Sequence, residues 1–177
     1  LTRVDGHSIW VNKLALKLAG YDVNNPISPE GGKIINNCIL IDNAMNKIWD
    51  AQPEDSFKDV KRWIKLAAFT ACGRGITNVH DAWQDSSTVR AIKELINEDE
   101  FPIRCYGMLG SSDSTLLSTF FNNGFYESEL YTIRSVKAFI DGALGSRGAA
   151  LLEPYSDEHC NCGLVLISKE EFSNLAK

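Results

Sequence analysis

Helix-like and strand-like segments alternate from Ser56 to the end of the sequence, and this alternation constrains the fold more than any other feature. Short apolar runs that end in turn residues are typical of buried strands, and apolar residues at helical spacing are typical of packed helices. The first predicted helix is capped by Ser56 and ends at Gly73 or Gly75. Three further predicted helices cover 86–98, 114–124 and 168–177. The predicted strands cover 75–82, 101–109 and 133–141. Such an alternation predicts βα units and a parallel sheet, that is, an α/β fold.

The first 55 residues lack this regularity. Apolar spacing predicts a helix over 8–19, which Gly20 ends, and a second short helix over 39–50. The stretch YDVNNPISPEGG between them is rich in turn residues. The sequence therefore predicts a helical or irregular insertion over 1–55, followed by the regular α/β part over 56–177.

The number of predicted strands is too small for a closed barrel. Three parallel strands in 177 residues fall short of a (β/α)8 barrel, which takes about 250 residues. The last predicted helix opens with a capping box at Ser168 and Glu171 and reaches the end of the sequence. We therefore expect a segment of a larger α/β protein. The alternative is that the 177 residues are the whole product and self-associate as a half-barrel.

Charge and cysteine content restrict the classes of partner. The net charge is −5 without a block of like charges, and no apolar run approaches membrane-spanning length, so nothing indicates nucleic acid or a membrane as a partner.

Of the five cysteines, Cys72 and Cys105 fall inside predicted elements, where thiols behave as small hydrophobes, and this favours a reducing, cytoplasmic compartment. Cys160 and Cys162 follow His159, but a structural zinc site needs a second ligand pair that the sequence lacks.

Lys137 is the unusual residue of the third predicted strand, VKAFID. Both faces of this strand are apolar except for Lys137 and Asp141, and an unpaired buried charge is unfavourable. The lysine is therefore extended toward solvent, paired with Asp141, or used chemically.

The stretch VKAFIDGALGSRGAALLEPYSD, together with GITNVHDA and DGHSIWVNKLAL, resembles the amidohydrolase superfamily. The most similar branch is family 3, which includes N-substituted formamide deformylases and metal-dependent hydrolases. The resemblance spans nearly the whole chain and implies the central part of a (β/α)8 (TIM) barrel. The three predicted strands would be barrel strands two to four, and residues 1–55 would lie near the active-site mouth. It also implies a divalent metal, zinc in particular, at the carboxyl ends of the strands.

The resemblance assigns candidate roles to individual residues. Lys137 falls where the family has a lysine that can be carboxylated and bridge two metals. His7 lies in a segment that covers the active site in the family, and His80 and Asp81 end a barrel strand, so these three are candidates for contact with substrate or for support of the groups that contact it. Arg147 would clamp a carboxylate or form an internal ion pair. Asp141 is a candidate of the same kind as well as a possible ion-pair partner of Lys137.

The function implied by this resemblance is hydrolysis of an amide or N-formyl C–N bond in a small molecule by metal-activated water. No His-x-His pair occurs, and the other metal ligands of the family have no counterpart here, so we expect the 177-residue chain alone to be inactive. Its expected partners are the missing parts of the barrel or further copies of itself. The alternative function is that of a catalytically silent relative with a regulatory or ligand-binding role.

Overall fold

The structure, a computed structural model, describes residues 1–176 and contains two compact units. The first unit consists of Leu1–Pro53 together with the segment that begins at Phe139. The second unit is Glu54–Ala138. This grouping differs from the predicted division at residue 55, because the segment after the third parallel strand packs with the N-terminal residues.

The second unit contains the predicted alternation of helices and strands. Its elements are α3 (Phe57–Cys72), β4 (Asn78–Gln84), α4 (Ser86–Asn97), β5 (Arg104–Gly110), α5 (Ser114–Asn123), β6 (Tyr126–Glu127) and β7 (Tyr131–Lys137). The sheet order is β4-β5-β7-β6, in which β4, β5 and β7 are parallel and the short β6 pairs antiparallel with β7. The predicted parallel sheet is confirmed, although its strands begin and end a few residues from the predicted bounds.

Side-chain caps define where the helices of this unit begin. Ser56 accepts a hydrogen bond from the Asp59 amide at the start of α3, as the sequence predicted. Asp85 and Asp113 cap α4 and α5 in the same way. The helices pack their apolar stripes against one face of the sheet, and this core includes Ala68, Ile92, Leu95, Cys105, Leu109, Leu117, Tyr131 and Ile133.

The other face of the sheet carries a different set of side chains. Alternate residues of a strand point to opposite faces, so the neighbours of Cys105 on β5 point away from the helices. His80 is paired with Tyr106 across β4 and β5, and Gly110 is paired with Lys137 across β5 and β7. His80 and Tyr106 therefore lie on the face opposite the helices.

The first unit contains a small antiparallel sheet where the sequence predicted helices. Its elements before residue 54 are β1 (Ser8–Trp10), α1 (Lys13–Leu18), β2 (Gly32–Ile35), β3 (Ile39–Asp42), a 3-10 turn (Asn43–Met45) and α2 (Asn46–Asp50). The sheet order is β1-β3-β2. The prediction of a mostly helical insertion is therefore wrong.

Tertiary pairing explains where those predictions fail. The helices predicted over 8–19 and 39–50 each begin with residues that instead pair as strands, since Ile9 lies opposite Leu40. The helical part of each segment starts only later, and at α1 Asn12 accepts a hydrogen bond from the Ala15 amide. β2 was missed because it follows a turn-rich stretch and is only four residues long.

The segment from residue 139 is mostly irregular. It contains a 3-10 turn (Leu144–Ser146) and ends in α6 (Lys169–Leu175). The capping box predicted from Ser168 and Glu171 is confirmed, since each residue's side chain accepts a hydrogen bond from the other's backbone amide. The end of the helix predicted over 168–177 includes Lys177, which lies outside the described residues.

Within residues 1–176, no helix is long and apolar enough to cross a membrane. All five cysteines are free thiols, of which Cys105 is buried and Cys72 is exposed. The expectation of a small buried hydrophobe is therefore confirmed for Cys105 and wrong for Cys72, which is the last residue of α3.

Candidate functional site

Lys137 is the last residue of β7, at the carboxyl end of the third parallel strand. Its carbonyl accepts a hydrogen bond from the Ser111 amide at 3.0 Å, and its side chain is partly buried. The register pairs it with Gly110 at the end of β5. Lys137 therefore lies at the edge of the sheet where α/β proteins usually carry their functional groups.

Trp83, on β4, lies next to Gly110 at this edge. A Cβ atom on Gly110 would lie 2.7 Å from the Trp83 ring, so the indole occupies the space over the glycine. A side chain at position 110 would displace the ring. Trp83 on β4 and Lys137 on β7 thus lie on the two strands that flank Gly110 of β5.

A buried polar network lies behind this edge, on the helix side of the sheet. Gln84 is fully buried, and its Nε2 donates to Asp81 Oδ2 at 2.9 Å and contacts Cys105 Sγ at 3.7 Å. Its Oε1 accepts a hydrogen bond from the Tyr131 hydroxyl at 2.5 Å. The amide fills the space beside Gly107, where an added Cβ would clash with Oε1. Gln84 therefore connects the three parallel strands.

Burial sets the protonation of this network. It raises the pKa of the Cys105 thiol from 9.0 to about 11, with a smaller contribution from the Asp81 carboxylate. Burial also raises the pKa of Tyr131. Both groups stay neutral near pH 7, so Cys105 is a poor nucleophile and the network is a structural element.

The sequence candidates His80 and Asp81 point to different faces. The exposed His80 ring stacks against Tyr106 with ring centroids 5.2 Å apart. The Asp81 carboxylate accepts from Gln84 and belongs to the network just described. His80 is thus available for contact with other molecules, whereas Asp81 supports the strand.

In the first unit, His7 pairs with a residue that the sequence reasoning missed. His7 Nδ1 lies 2.7 Å from Asp42 Oδ1, and the side chains of His7 and Asp42 are 20% and 2% exposed. The His7 ring also packs edge-on against the Phe139 ring, with the ring centroids 6.3 Å apart. Since a carboxylate only accepts hydrogen bonds, this geometry places the proton on Nδ1 and leaves Nε2 without a hydrogen-bond partner among the described residues.

Asp42 is strained and only half satisfied. Its φ is 48° and its ψ is −124°, a conformation that residues with a Cβ rarely adopt. Its second oxygen, Oδ2, is buried and has no hydrogen-bond partner among the described residues. Strain and unmade hydrogen bonds both disfavour folding, and such positions concentrate at functional sites.

Two further sequence candidates lie in the loop that follows the third parallel strand. Asp141 pairs with Val165 as an isolated bridge, and its Oδ2 accepts from the Ala150 amide at 3.1 Å. Arg147 forms a two-pronged ion pair with Asp157, in which Nε donates at 3.0 Å. Hydrogen bonding to Arg147 lowers the pKa of Asp157. Both candidates shape the loop in this conformation.

The described residues do not by themselves make a metal site. Among residues 1–176, no three His, Cys, Asp or Glu side chains gather as metal ligands would. Lys137 is a single candidate ligand, whereas catalytic zinc sites take about three from the protein. His159, Cys160 and Cys162 do not form such a group either.

Sequence reasoning missed Asp42 and Gln84 for a common reason. Each is a polar residue at the end of a strand, where a turn residue or an exposed side chain is the ordinary expectation. Their partners, His7 and Tyr131, are 35 and 47 residues away in sequence. A polar residue within an otherwise apolar run, as in ILID, was the available signal.

Comparison with known proteins identifies relatives along the whole chain. The chain is 32% identical over 193 residues to Protein LONG AFTER FAR-RED 3 of Arabidopsis thaliana, covering 98% of this chain and 33% of that protein. It is 27% identical over 188 residues to "Putative amidohydrolase YtcJ" of Bacillus subtilis (strain 168), covering 100% of this chain and 35% of that protein. The chain therefore spans about a third of the length of these curated relatives.

Solved structures share the fold. An uncharacterized metal-dependent hydrolase from Pyrococcus horikoshii OT3 matches 99% of this chain and 35% of its own, with a TM-score of 0.67 and 21% identity. A second, from Pyrococcus furiosus, matches 97% of this chain with a TM-score of 0.64 and 22% identity. The sequence model of the amidohydrolase family matches residues 1–177. The chain thus belongs to the amidohydrolase family.

Proposed function

We propose that this chain is the central segment of a metal-dependent amidohydrolase, barrel strands two to four of a (β/α)8 fold. The intact protein would hydrolyse an amide or N-formyl C–N bond of a small molecule with water activated by a divalent metal, zinc in particular. A metal ion in such a site lowers the pKa of bound water and so supplies a nucleophile near neutral pH. Within the family, the branch related to N-substituted formamide deformylases is our proposal.

The position of Lys137 is the observation that carries this proposal. It ends the third of three consecutive parallel strands, in a chain that matches the amidohydrolase family from end to end. A neutral lysine amine can add carbon dioxide and become a carboxylate, a ligand that divalent metals prefer. We propose this role for Lys137, with the other ligands supplied outside residues 1–177.

We propose separate roles for the other sequence candidates. We propose that His80 contacts substrate, because its ring is exposed on the sheet face opposite the helices. Asp81 would hold the strand end through Gln84. Asp141 and Arg147 would keep the following loop in place through their contacts with Ala150 and Asp157.

Exposed apolar side chains support the proposal of a partial barrel. Large apolar residues of α3 and of the α5 region are exposed, with Trp63, Leu66, Phe69, Phe121 and Phe125 between 45% and 75% accessible. Helices of neighbouring βα units would cover such faces, and β4 is an edge strand that a further strand would pair. We therefore expect the 177-residue chain to self-associate. A monodisperse monomer with a sharp cooperative melt in light-scattering and calorimetric measurements would contradict this.

Activity of the isolated chain is the first test. We expect no amide or ester hydrolysis with added zinc, because one candidate ligand does not hold a catalytic metal. Saturable, metal-dependent turnover by the purified chain would refute this expectation.

Substitution of Lys137 in the intact protein is the second test. We expect Lys137→Ala to remove most bound metal and most activity, and bicarbonate not to restore either. Lys33→Ala, at an exposed position of β2, is the matched control and should keep both. Metal content and rate near those of the unmodified protein would show that Lys137 is structural. Bound metal without turnover of any amide would favour the catalytically silent alternative.

A further inference from the structure

We propose that Asp42 is a positioning residue that holds His7 in the tautomer with its proton on Nδ1, so that Nε2 accepts a hydrogen bond from an N–H or O–H group of the substrate. This rests on the proposed function for the identity of the substrate, an amide in the first instance. The Asp42–His7 pair itself is independent of that function.

Geometry is the first support for this role. The 2.7 Å separation of His7 Nδ1 and Asp42 Oδ1 is that of a charge-assisted hydrogen bond. A second link fixes the two residues, because the Asp42 amide donates to the His7 carbonyl at 3.2 Å. The ring is therefore oriented through both its backbone and its Nδ1, while Nε2 has no hydrogen-bond partner among the described residues.

The unfavourable features of Asp42 are the second support. Its positive φ would suit glycine, and its Oδ2 is buried without a partner. A residue chosen for stability alone would avoid both. The carboxylate contributes one interaction that a glycine or an alanine would lack, which is the bond to His7. An observed outlier of this kind supports a functional role.

The tautomer decides what His7 recognises. With the proton on Nδ1, the Nε2 lone pair accepts a hydrogen bond and repels carbonyl oxygens or carboxylates. An amide substrate with an N–H group satisfies Nε2, whereas its N-methylated counterpart does not. The pair therefore selects for substrates that carry a donor.

The tautomer is measurable in the 177-residue chain by 15N-correlated NMR of its imidazole rings, at a pH high enough for all three rings to be neutral. The chain has three histidines, and neither His80 nor His159 has a carboxylate partner among the described residues, so both serve as internal references. We expect the proton on Nδ1 in His7 and predominantly on Nε2 in the other two. A His7 ring protonated on Nε2 would overturn the proposal.

Two variants separate positioning from folding. Asp42→Asn keeps the shape of the side chain, and Asp42→Gly relieves the backbone; both should move the His7 proton to Nε2 while His80 and His159 stay unchanged. Asp50→Asn, at an exposed position, is the control and should leave all three rings unchanged. If the His7 proton stays on Nδ1 in both Asp42 variants, Asp42 does not position it.

Kinetics of the intact protein complete the test. We expect Asp42→Asn to keep its metal content and to lose the preference for N–H over N-methyl amides. Its kcat/KM should fall by about 10- to 100-fold, in analogy to carboxylates that orient metal-binding histidines. Unchanged kinetics and preference would overturn the substrate role. If the unmodified protein hydrolyses no amide at all, the proposed function fails, and the NMR result still decides whether Asp42 positions His7.

Discussion

Gln84 in the second unit and Asp42 in the first are both buried polar residues at strand ends, yet they differ in how well their hydrogen bonds are satisfied. Both polar atoms of Gln84 have hydrogen-bond partners. Asp42 has one satisfied oxygen, one buried oxygen without a described partner, and a positive φ. A fully satisfied network stabilises a fold, whereas a half-satisfied one is unfavourable and calls for another explanation.

This difference suggests that Gln84 stabilises the fold, whereas Asp42 positions His7. Gln84 lies next to a bulge between Asp81 and itself, which brings both side chains to the helix side of the sheet. Its hydrogen bonds link the end of β4 to Cys105 and Tyr131, which lie near the beginnings of β5 and β7. The Asp42 carboxylate has one hydrogen-bond partner among the described residues, the His7 ring. We therefore expect substitutions of Gln84 to affect stability and substitutions of Asp42 to affect His7.

Gln84→Leu should have the largest effect on stability. The change leaves the Tyr131 hydroxyl buried without its partner and removes the hydrogen bonds of Gln84 to Asp81, Cys105 and Tyr131. We therefore expect a loss of about 3 kcal/mol in the free energy of unfolding. Denaturant titration measures this. The control is Gln52→Leu, because Gln52 is the other glutamine of the chain and is exposed. This change should alter stability by less than about 0.5 kcal/mol. A loss for Gln84→Leu that is no larger than the control's would show that the network contributes little.

The sequence predicted the second unit well because its signals are local. Ser56 and Ser168 cap helices through neighbouring residues, and apolar spacing marks the buried faces of α3 to α5. The α/β class and the three parallel strands follow from such patterns, whereas the family follows from the resemblance of longer stretches such as VKAFIDGALGSRGAALLEPYSD. Lys137 stood out for the same reason, as a lysine within an apolar strand.

The remaining features depend on contacts between distant residues. Residues 8–10 and 39–42 have apolar spacing compatible with a helix, and only their mutual pairing makes them strands. His7 was a candidate from its motif, but its partner Asp42 lies 35 residues away. No local pattern reports which aspartate a histidine will meet, or that its backbone will be strained.

The pH dependence of stability tests how dry the Gln84 network is. Because the pKa of Cys105 is raised from 9.0 to about 11, its contribution is fully present below pH 9 and is lost as the pH rises through 11. The difference in pKa corresponds to about 3 kcal/mol of stability in total, of which about 2 kcal/mol should be lost by about pH 10.5. The stability of the native chain should therefore fall relative to Cys105→Ala between about pH 8 and about pH 10.5.

Cys72→Ala is the control for this measurement, since Cys72 is exposed. A pH dependence that appears in both variants would not come from the network around Cys105. A constant difference between the native chain and Cys105→Ala would mean that the thiol ionises as easily in the folded state as in the unfolded state, and the network would then be open to water.

Asp42→Gly should have the smallest effect on the free energy of unfolding. The sign of this effect shows whether Asp42 stabilises the fold as Gln84 does. Glycine relieves a positive φ that costs about 1 to 3 kcal/mol, but the change removes the charge-assisted bond to His7, which contributes a similar amount. We therefore expect stability within about 1 kcal/mol of the native chain. Asp42→Ala loses the same bond and keeps the strain, so it should be less stable than Asp42→Gly by about 1 to 2 kcal/mol. If both variants lose as much stability as Gln84→Leu, the carboxylate is a structural link like Gln84. If only the glycine variant keeps its stability, the aspartate does not stabilise the fold, and its effect on the His7 tautomer explains its presence.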